Sequence, residues 1–155
     1  MKVSEEGVAL IKKYEGCRLH AYKAVPTEKY YTIGWGHYSE WVKPDMEITQ
    51  EQADALLMDD LAKFEQHVNI YNNKYHFTQN QFDALVSFAF NIGSITQLTQ
   101  KGTRTIRQIS AAIPKYVKFG GKVLPGLVRR RIDEQKLFDR PNKVVLKGGT
   151  NAEKE

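Results

Sequence analysis

The sequence predicts an α+β chain: a small antiparallel sheet near the N-terminus, followed by a larger helical part. Three observations carry this. Residues 18–38 are rich in β-favouring Tyr22, Tyr30, Tyr31, Thr32 and Ile33, punctuated by Pro26, Gly34 and Gly36. From Thr49 onward, apolar residues recur at helical spacing behind two N-terminal capping signatures. One later segment, Phe82 to Ile92, is apolar almost all round and reads as the buried centre of a helical lobe. A length of 155 residues suits one domain.

The first element is an amphipathic helix over Ser4–Tyr14. Val8, Ile11 and Tyr14 form the apolar stripe with Leu10 beside it, and Lys12 and Lys13 face away. Ser4 suits the N-cap, and Gly16 suits a left-handed residue just past the end. Glu15 then lies at the negative end of the helix dipole, a place that disfavours the anion and suits a carboxylic acid that keeps its proton for transfer. In the sheet region Gly34 and Gly36 flank Trp35. Two readings stand, an ordinary hairpin bend and a backbone approached closely by a ligand.

After a loop at Pro44–Glu47, Thr49 and Gln52 form a capping box stapled by Ile48 and Ala53. The stripe Ala53, Leu57, Leu61, Phe64, Val68, Tyr71 predicts about five turns of helix, with Met58 and Phe64 in the core. A second capping box, Thr78 and Gln81 with Phe77 and Phe82 as staple, opens the apolar helix that Gly93 ends. Residues 94–119 read as broken helix, with Ile106, Ile109 and Ile113 in phase and Pro114 interrupting. Gly120-Gly121 is a turn, and a last helix covers Leu127–Phe138. Its Arg129, Arg130 and Arg131 cannot share one face, and Arg130 is spaced to pair with Glu134. They are expected to meet carboxylates and an anionic polymer. From Asp139 the chain reads as a polar tail or the stub of a linker, so residues 1–138 hold the domain.

The net charge is +5 and the pI about 9.2, which favours polyanionic partners without naming one. Cys17 is the single cysteine, so an internal disulfide is excluded. It reads as a small packed side chain, since no activating site is evident around it. No apolar run approaches the roughly 20 residues needed to span a bilayer. The first residues lack the apolar core of a signal peptide. His20, His67 and His76 have no metal-ligand spacing. No metal and no cofactor are expected.

Several stretches resemble one family. Leu10-Ile11-Lys12-Lys13-Tyr14-Glu15-Gly16, Arg18-Leu19, Ala21-Tyr22 and Thr32-Ile33-Gly34-Trp35-Gly36-His37 are similar to the phage-type lysozymes, endolysins related to T4 lysozyme. So are Thr78 to Phe88 with Asn91 and Gly93, and Gly120 to Leu127 with Arg129-Arg130-Arg131, Glu134 and Phe138. The resemblance implies a lysozyme-like fold, with a cleft between the sheet lobe and the helical lobe and one helix joining the lobes. It implies hydrolysis of the β-1,4 bond between N-acetylmuramic acid and N-acetylglucosamine in bacterial peptidoglycan, with host lysis as the result. By the same resemblance Glu15 is the proton donor, Thr32 a second catalytic residue, and Tyr22, Gly34 and His37 bind substrate.

The sequence departs from the family where an Asp usually follows the Ala-Tyr pair: here Ala24 stands there. Either Glu28, in a lengthened loop, supplies the missing carboxylate, or Glu15 and Thr32 suffice. The expected partner is the peptidoglycan glycan strand, met by a monomer that neither binds nucleic acid nor inserts stably into a membrane. The expected location is the host cytoplasm, until a separate membrane-permeabilising protein opens the way to the wall. The rival readings are a lytic transglycosylase using Glu15 alone, a wall-binding protein that has lost catalysis, and a basic nucleic-acid binder.

Overall fold

Helices α1 (Glu5–Tyr14), α2 (Gln50–Tyr75), α3 (Gln79–Ile92), α4 (Ile106–Ala112) and α5 (Pro125–Asp139) frame the chain, of which the computed structural model describes residues 1–146 and 150–153. Strands β1 (Arg18–Tyr22), β2 (Tyr31–Gly34) and β3 (His37–Ser39) lie between α1 and α2. Strands β4 (Lys118–Phe119) and β5 (Lys122–Val123) precede α5, and β6 (Lys143–Leu146) and β7 (Thr150–Glu153) follow it. The α+β class holds. The backbone divides into two compact units: Ile11–Lys63 contains the three-stranded sheet, and Met1–Leu10 with Phe64–Glu155 forms the helical unit.

In the sheet unit, β1, β2 and β3 are antiparallel in that order. The outer edge of β1 is covered by the loop before α2. Ala21 N–H donates to the Met46 carbonyl at 2.9 Å, and Ile48 N–H donates to that of Leu19 at 2.9 Å. Gly34 has φ +68°, and a Cβ there would lie 3.4 Å from the Ala53 Cβ, so glycine lets β2 close onto the start of α2. The Thr49 capping box forms as expected. Gln52 N–H donates to the Thr49 hydroxyl at 3.1 Å, and Thr49 N–H donates to the Gln52 side chain at 2.9 Å.

Ala53, Leu57, Leu61 and Val68 are buried along α2. Met58, expected in the core, is 45% exposed, because one residue past Leu57 lies about 100° off the stripe. Gly16 also departs from expectation: it is absent from the positive-φ residues. Glu15 N–H makes the last α-type bond, to Ile11 O at 3.0 Å, and the chain runs straight on to β1 at Arg18 with no left-handed cap.

In the helical unit the first residues are tied to distant carboxylates and amides. The Met1 ammonium donates to Asn69 Oδ1 at 3.0 Å, and Val3 N–H donates to the buried Glu65 at 2.7 Å. Ser4 N–H donates to Asp83 Oδ1 at 2.9 Å, and the Ser4 hydroxyl donates to the same carboxylate. Asp83, fully buried on α3, therefore places negative charge at the start of α1, where the helix dipole favours it. Gly7 leaves it room: a Cβ there would come within 2.5 Å of Val3 Cγ2 and 2.8 Å of Asp83 Cγ.

The Thr78–Gln81 capping box is complete, and every residue from Phe82 to Ala89 is buried. Gly93 ends α3 at φ +113°, its N–H on Ala89 O at 2.7 Å. A third capping box, Thr105 with Gln108, opens α4 and went unread in the sequence. Gly120 and Gly121, at φ +59° and +78°, make the two-residue turn between β4 and β5 that only such residues adopt without strain.

Helix α5 starts at Pro125, two residues before its expected start, and packs on α3. Its arginines correct the sequence reading. Arg130 and Arg131 are buried, 2% and 0% exposed, so they cannot meet an external polymer, while Arg129 is exposed. Arg130 Nε lies 3.2 Å from Glu134 Oε2 and Arg131 Nε lies 2.9 Å from Glu134 Oε1. The Ser87 hydroxyl donates to Glu134 Oε2 at 2.6 Å. Beyond α5, where the sequence reads as a tail, β6 and β7 pair as a hairpin; residues 147–149 and 154–155 lie outside the described residues.

Phe88, 1% exposed, meets the Tyr116 ring edge-on at 5.1 Å and the Arg131 guanidinium at 4.8 Å. Replacing Phe88 with Ala should therefore lower the unfolding free energy in urea by about 3–5 kcal/mol. A loss below about 1 kcal/mol would be inconsistent with this burial.

Candidate active site

Every residue singled out from the sequence as catalytic or substrate-binding falls in the sheet unit. Glu15 is the residue after α1, half-buried. It faces the turn between β2 and β3: a Cβ built on Gly36 would stand 3.9 Å from Glu15 Oε1. Gly36 itself has φ +87°. Glycine there puts no side chain of its own between the turn and the carboxyl, and it lets the backbone take this left-handed conformation.

Thr32 sits in the middle strand, 7% exposed. Its partner across to β1 is Tyr22 and its partner across to β3 is Tyr38. Directly opposed residues share a face, so Tyr22, Thr32 and Tyr38 form one row. Tyr22 is held in place by the Arg18 guanidinium, 4.4 Å from its ring centre. The structure thus brings Tyr22 and Thr32 together. Gly34 is buried, and a side chain there would run into Ala53, so its role in the structure is packing.

Glu28 is engaged within its own loop. Its Oε1 accepts the Val25 N–H at 3.0 Å, and its own N–H donates to the Val25 carbonyl at 3.1 Å. Ala24, where the resemblance leads one to look for an Asp, is exposed one residue earlier in that loop. His37 Nδ1 lies 2.8 Å from Asp60 Oδ2 and 3.0 Å from Oδ1, and its ring packs 5.0 Å from Trp41. With Nδ1 donating to the carboxylate, Nε2 is buried and has no hydrogen-bond partner among the described residues. No group of three or more His, Cys, Asp or Glu suited to a metal occurs among the described residues.

One cluster escaped sequence reading. Trp35 Nε1–H donates to Asp54 Oδ1 at 2.7 Å, Lys12 Nζ lies 3.1 Å from the same oxygen, and Gln50 Nε2 donates to it at 3.1 Å. Lys12 also stands 5.2 Å from the centre of the Trp35 ring. Lys12 is three residues before Glu15 on α1, and Trp35 is next to Gly36. Asp54 therefore ties the helix that ends at Glu15 to the turn that faces it. Gln50 and Asp54 are in phase on α2, but Trp35 and Lys12 lie 19 and 42 positions from Asp54, beyond the reach of any local pattern. The Trp35 indole N–H, then Lys12 and Gln50, hold the Asp54 carboxyl below the ordinary aspartate range.

A family model described as phage lysozyme matches residues 12–134. The endolysin of Bacillus phage PZA is 45% identical over 161 residues, a match covering 99% of this chain and 61% of that protein. The endolysin of Bacillus phage B103 is 48% identical over 143 residues, covering 89% of this chain and 54% of that protein. Among solved structures, the muramidase domain of SpmX from Asticaccaulis excentricus superposes with a TM-score of 0.77 at 37% identity, over 90% of this chain and 99% of that one. The chain belongs to the phage lysozyme family. It spans less than two thirds of the length of these two endolysins.

Removing the indole N–H tests the Asp54 cluster. In Trp35→Phe the Asp54 titration midpoint, followed by carboxyl NMR, should rise toward the ordinary aspartate value; an unchanged midpoint would contradict the assignment. The sign for stability follows from linkage. A carboxyl depressed in the folded state stabilises it above the unfolded pKa, and that contribution is lost as pH falls through the folded value. Trp35→Phe should therefore shrink the drop in stability across that acidic window.

Proposed function

We propose that this chain is the catalytic part of a phage endolysin that hydrolyses the β-1,4 bond between N-acetylmuramic acid and N-acetylglucosamine in peptidoglycan. The observation that carries the proposal is Glu15, a half-buried carboxyl just past the end of α1, whose Oε1 lies beside Gly36 in the β2–β3 turn. Membership of the phage lysozyme family supports the substrate class. The catalytic domain is assigned to residues 1–138, with residues 139–155 as an appended segment.

Glu15 gives its proton to the leaving glycosidic oxygen, and the Thr32 hydroxyl orients the water that attacks the oxocarbenium-like carbon. The Tyr22–Thr32–Tyr38 row offers rings and hydroxyls to the glycan. His37, anchored by Asp60, shapes the end of the turn. Glu28 takes no part: its carboxylate is engaged by the Val25 N–H of its own loop. The enzyme acts as a monomer on glycan strands, with no role for nucleic acid or a cofactor. No described helix is long and apolar enough to cross a membrane. By its family, the enzyme is proposed to wait in the host cytoplasm until a separate membrane-permeabilising protein gives it access to the wall.

Glu15→Gln keeps the size and removes the proton, and should lower wall cleavage by about 10²–10⁴-fold while the thermal transition is kept. Near-normal lysis by the folded variant would refute the proposal. Thr32→Ala should be comparably damaging and Glu28→Gln almost silent; the reverse pattern would move the second role to Glu28. Mass spectrometry of digested walls should find reducing ends. Anhydro ends would make the protein a transglycosylase that needs only Glu15.

A further inference from the structure

Charge is distributed along this chain in a way the proposed cleavage reaction does not require. Between Asp83 and Asp133 there are nine Lys and Arg and not one Asp or Glu. The rest of the chain, with fourteen cations against all eighteen acids, is net −4. Such asymmetry is a physical statement about partners rather than fold. Two of the nine, Arg130 and Arg131, are buried on Glu134. Arg104 is half-buried and donates to the Leu98 carbonyl at 3.0 Å. The remaining six, Lys101, Arg107, Lys115, Lys118, Lys122 and Arg129, are all exposed.

Arg107, Lys115 and Arg129 lie on α4, the turn Ile113–Lys115 and α5, which contact one another in the helical unit, and Lys101 lies in the loop before α4. The β4–β5 hairpin sits between that turn and α5 in the chain. Its register pairs Lys118 with Val123 and Phe119 with Lys122, so each face carries one ammonium and one apolar side chain. Phe119 is 75% exposed and Val123 54%. The Asp139 carboxylate approaches this region, accepting the Ser110 hydroxyl at 2.6 Å.

We propose that this face of the helical unit is a second wall-binding surface, whose ligand is a phosphodiester polymer of the bacterial wall rather than the glycan that is cut. Lysine dominates the hairpin, and a compact ammonium suits repeated phosphate charges without demanding fixed geometry. Cations spread over four elements match a long polyanion better than a single anion. Single-stranded nucleic acid calls for a series of stacking rings, and here Phe119 stands exposed while Tyr116 is packed on Phe88. Strands of two residues are too short to read a groove. The exposed apolar side chains here, Phe119, Val123 and Leu124, are interrupted by Lys118 and Lys122 and give little continuous apolar area for insertion into a lipid surface.

The inference rests on the wall being the enzyme's workplace, and binding is measured apart from cleavage so that the two can fail separately. The 155-residue chain carrying Glu15→Gln is mixed with insoluble walls that carry the phosphodiester polymer, and with the same walls stripped of it by hydrofluoric acid. Binding to intact walls should exceed binding to stripped walls, fall steeply with added salt, and weaken roughly tenfold or more in Lys118→Glu/Lys122→Glu. Should that variant not fold, Arg107→Glu with Lys115→Glu tests the same face from α4 and the turn that follows it. Both pairs, placed on the background with Glu15 intact, should cleave a short uncharged glycan at the unaltered rate. Equal binding to stripped and intact walls would overturn the proposal. So would competition by duplex DNA or by anionic phospholipid vesicles as strong as that by the soluble wall polymer at the same salt concentration.

Discussion

The helical unit depends on one buried carboxylate. Glu134 is 0% exposed and holds two arginines and a serine at once. Burial pushes its carboxyl above the ordinary glutamate range, against the pull of Arg131 and Arg130, and burial also lowers the Arg131 guanidinium. Charges in such a place are tolerable only when each has its partners, and removing one partner typically costs about 3–5 kcal/mol. The consequence is register. Ser87 lies on α3, while Glu134, Arg130 and Arg131 lie on α5; a slide of either helix by one turn would strand a charge in the core. Arg131 reaches on to Asn91 at 2.6 Å, near the C-terminal end of α3. The pairing that a sequence reader takes for surface charge is the fastening of two helices.

The sheet unit solves a different problem with a partly exposed acid. Asp54 gathers Lys12, Trp35 and Gln50 at one oxygen, in a place where solvent screens the charges. Its value is geometric: three donors from three segments converge on one point, so the end of α1 and the β2–β3 turn keep a common reference. Asp60 does the same for His37 about two turns further along α2. In this unit α2 serves as a rail from which carboxylates reach out to hold the turn and its flanking strand.

Local patterns were legible because their physics is local. The capping boxes at Thr49 and Thr78 are written within four residues and the Arg130–Glu134 pair within five, and each forms. The sheet was legible from β-branched and aromatic residues broken by glycine. What escaped has two causes. Contacts such as Trp35–Asp54 and Ser4–Asp83 join positions 19 and 79 residues apart, and no spacing rule encodes them. Elsewhere a rule was applied where context decided otherwise. Gly16 suits a left-handed cap but is followed too soon by a strand. Met58 is apolar but off the stripe. Residues 139–155 are polar but include a paired hairpin. Of the candidate site, Glu15, Thr32 and Tyr22 could be read from motif resemblance, whereas the groups that hold the site in shape could not.

The tethering of the first residues bears on how the chain is made. Met1, Val3 and Ser4 find their partners 68, 62 and 79 positions later, and those partners lie in the same unit. Between them runs Ile11–Lys63, whose sheet pairs strands close in sequence. A chain emerging from the ribosome N-terminus first can pair β1, β2 and β3 while its opening segment still has nothing to bind. That segment gains its first partner only once Glu65 has emerged and its last only with Asp83, and closing so long a loop costs chain entropy. The residues made first are thus among those whose native contacts need the longest stretch of chain.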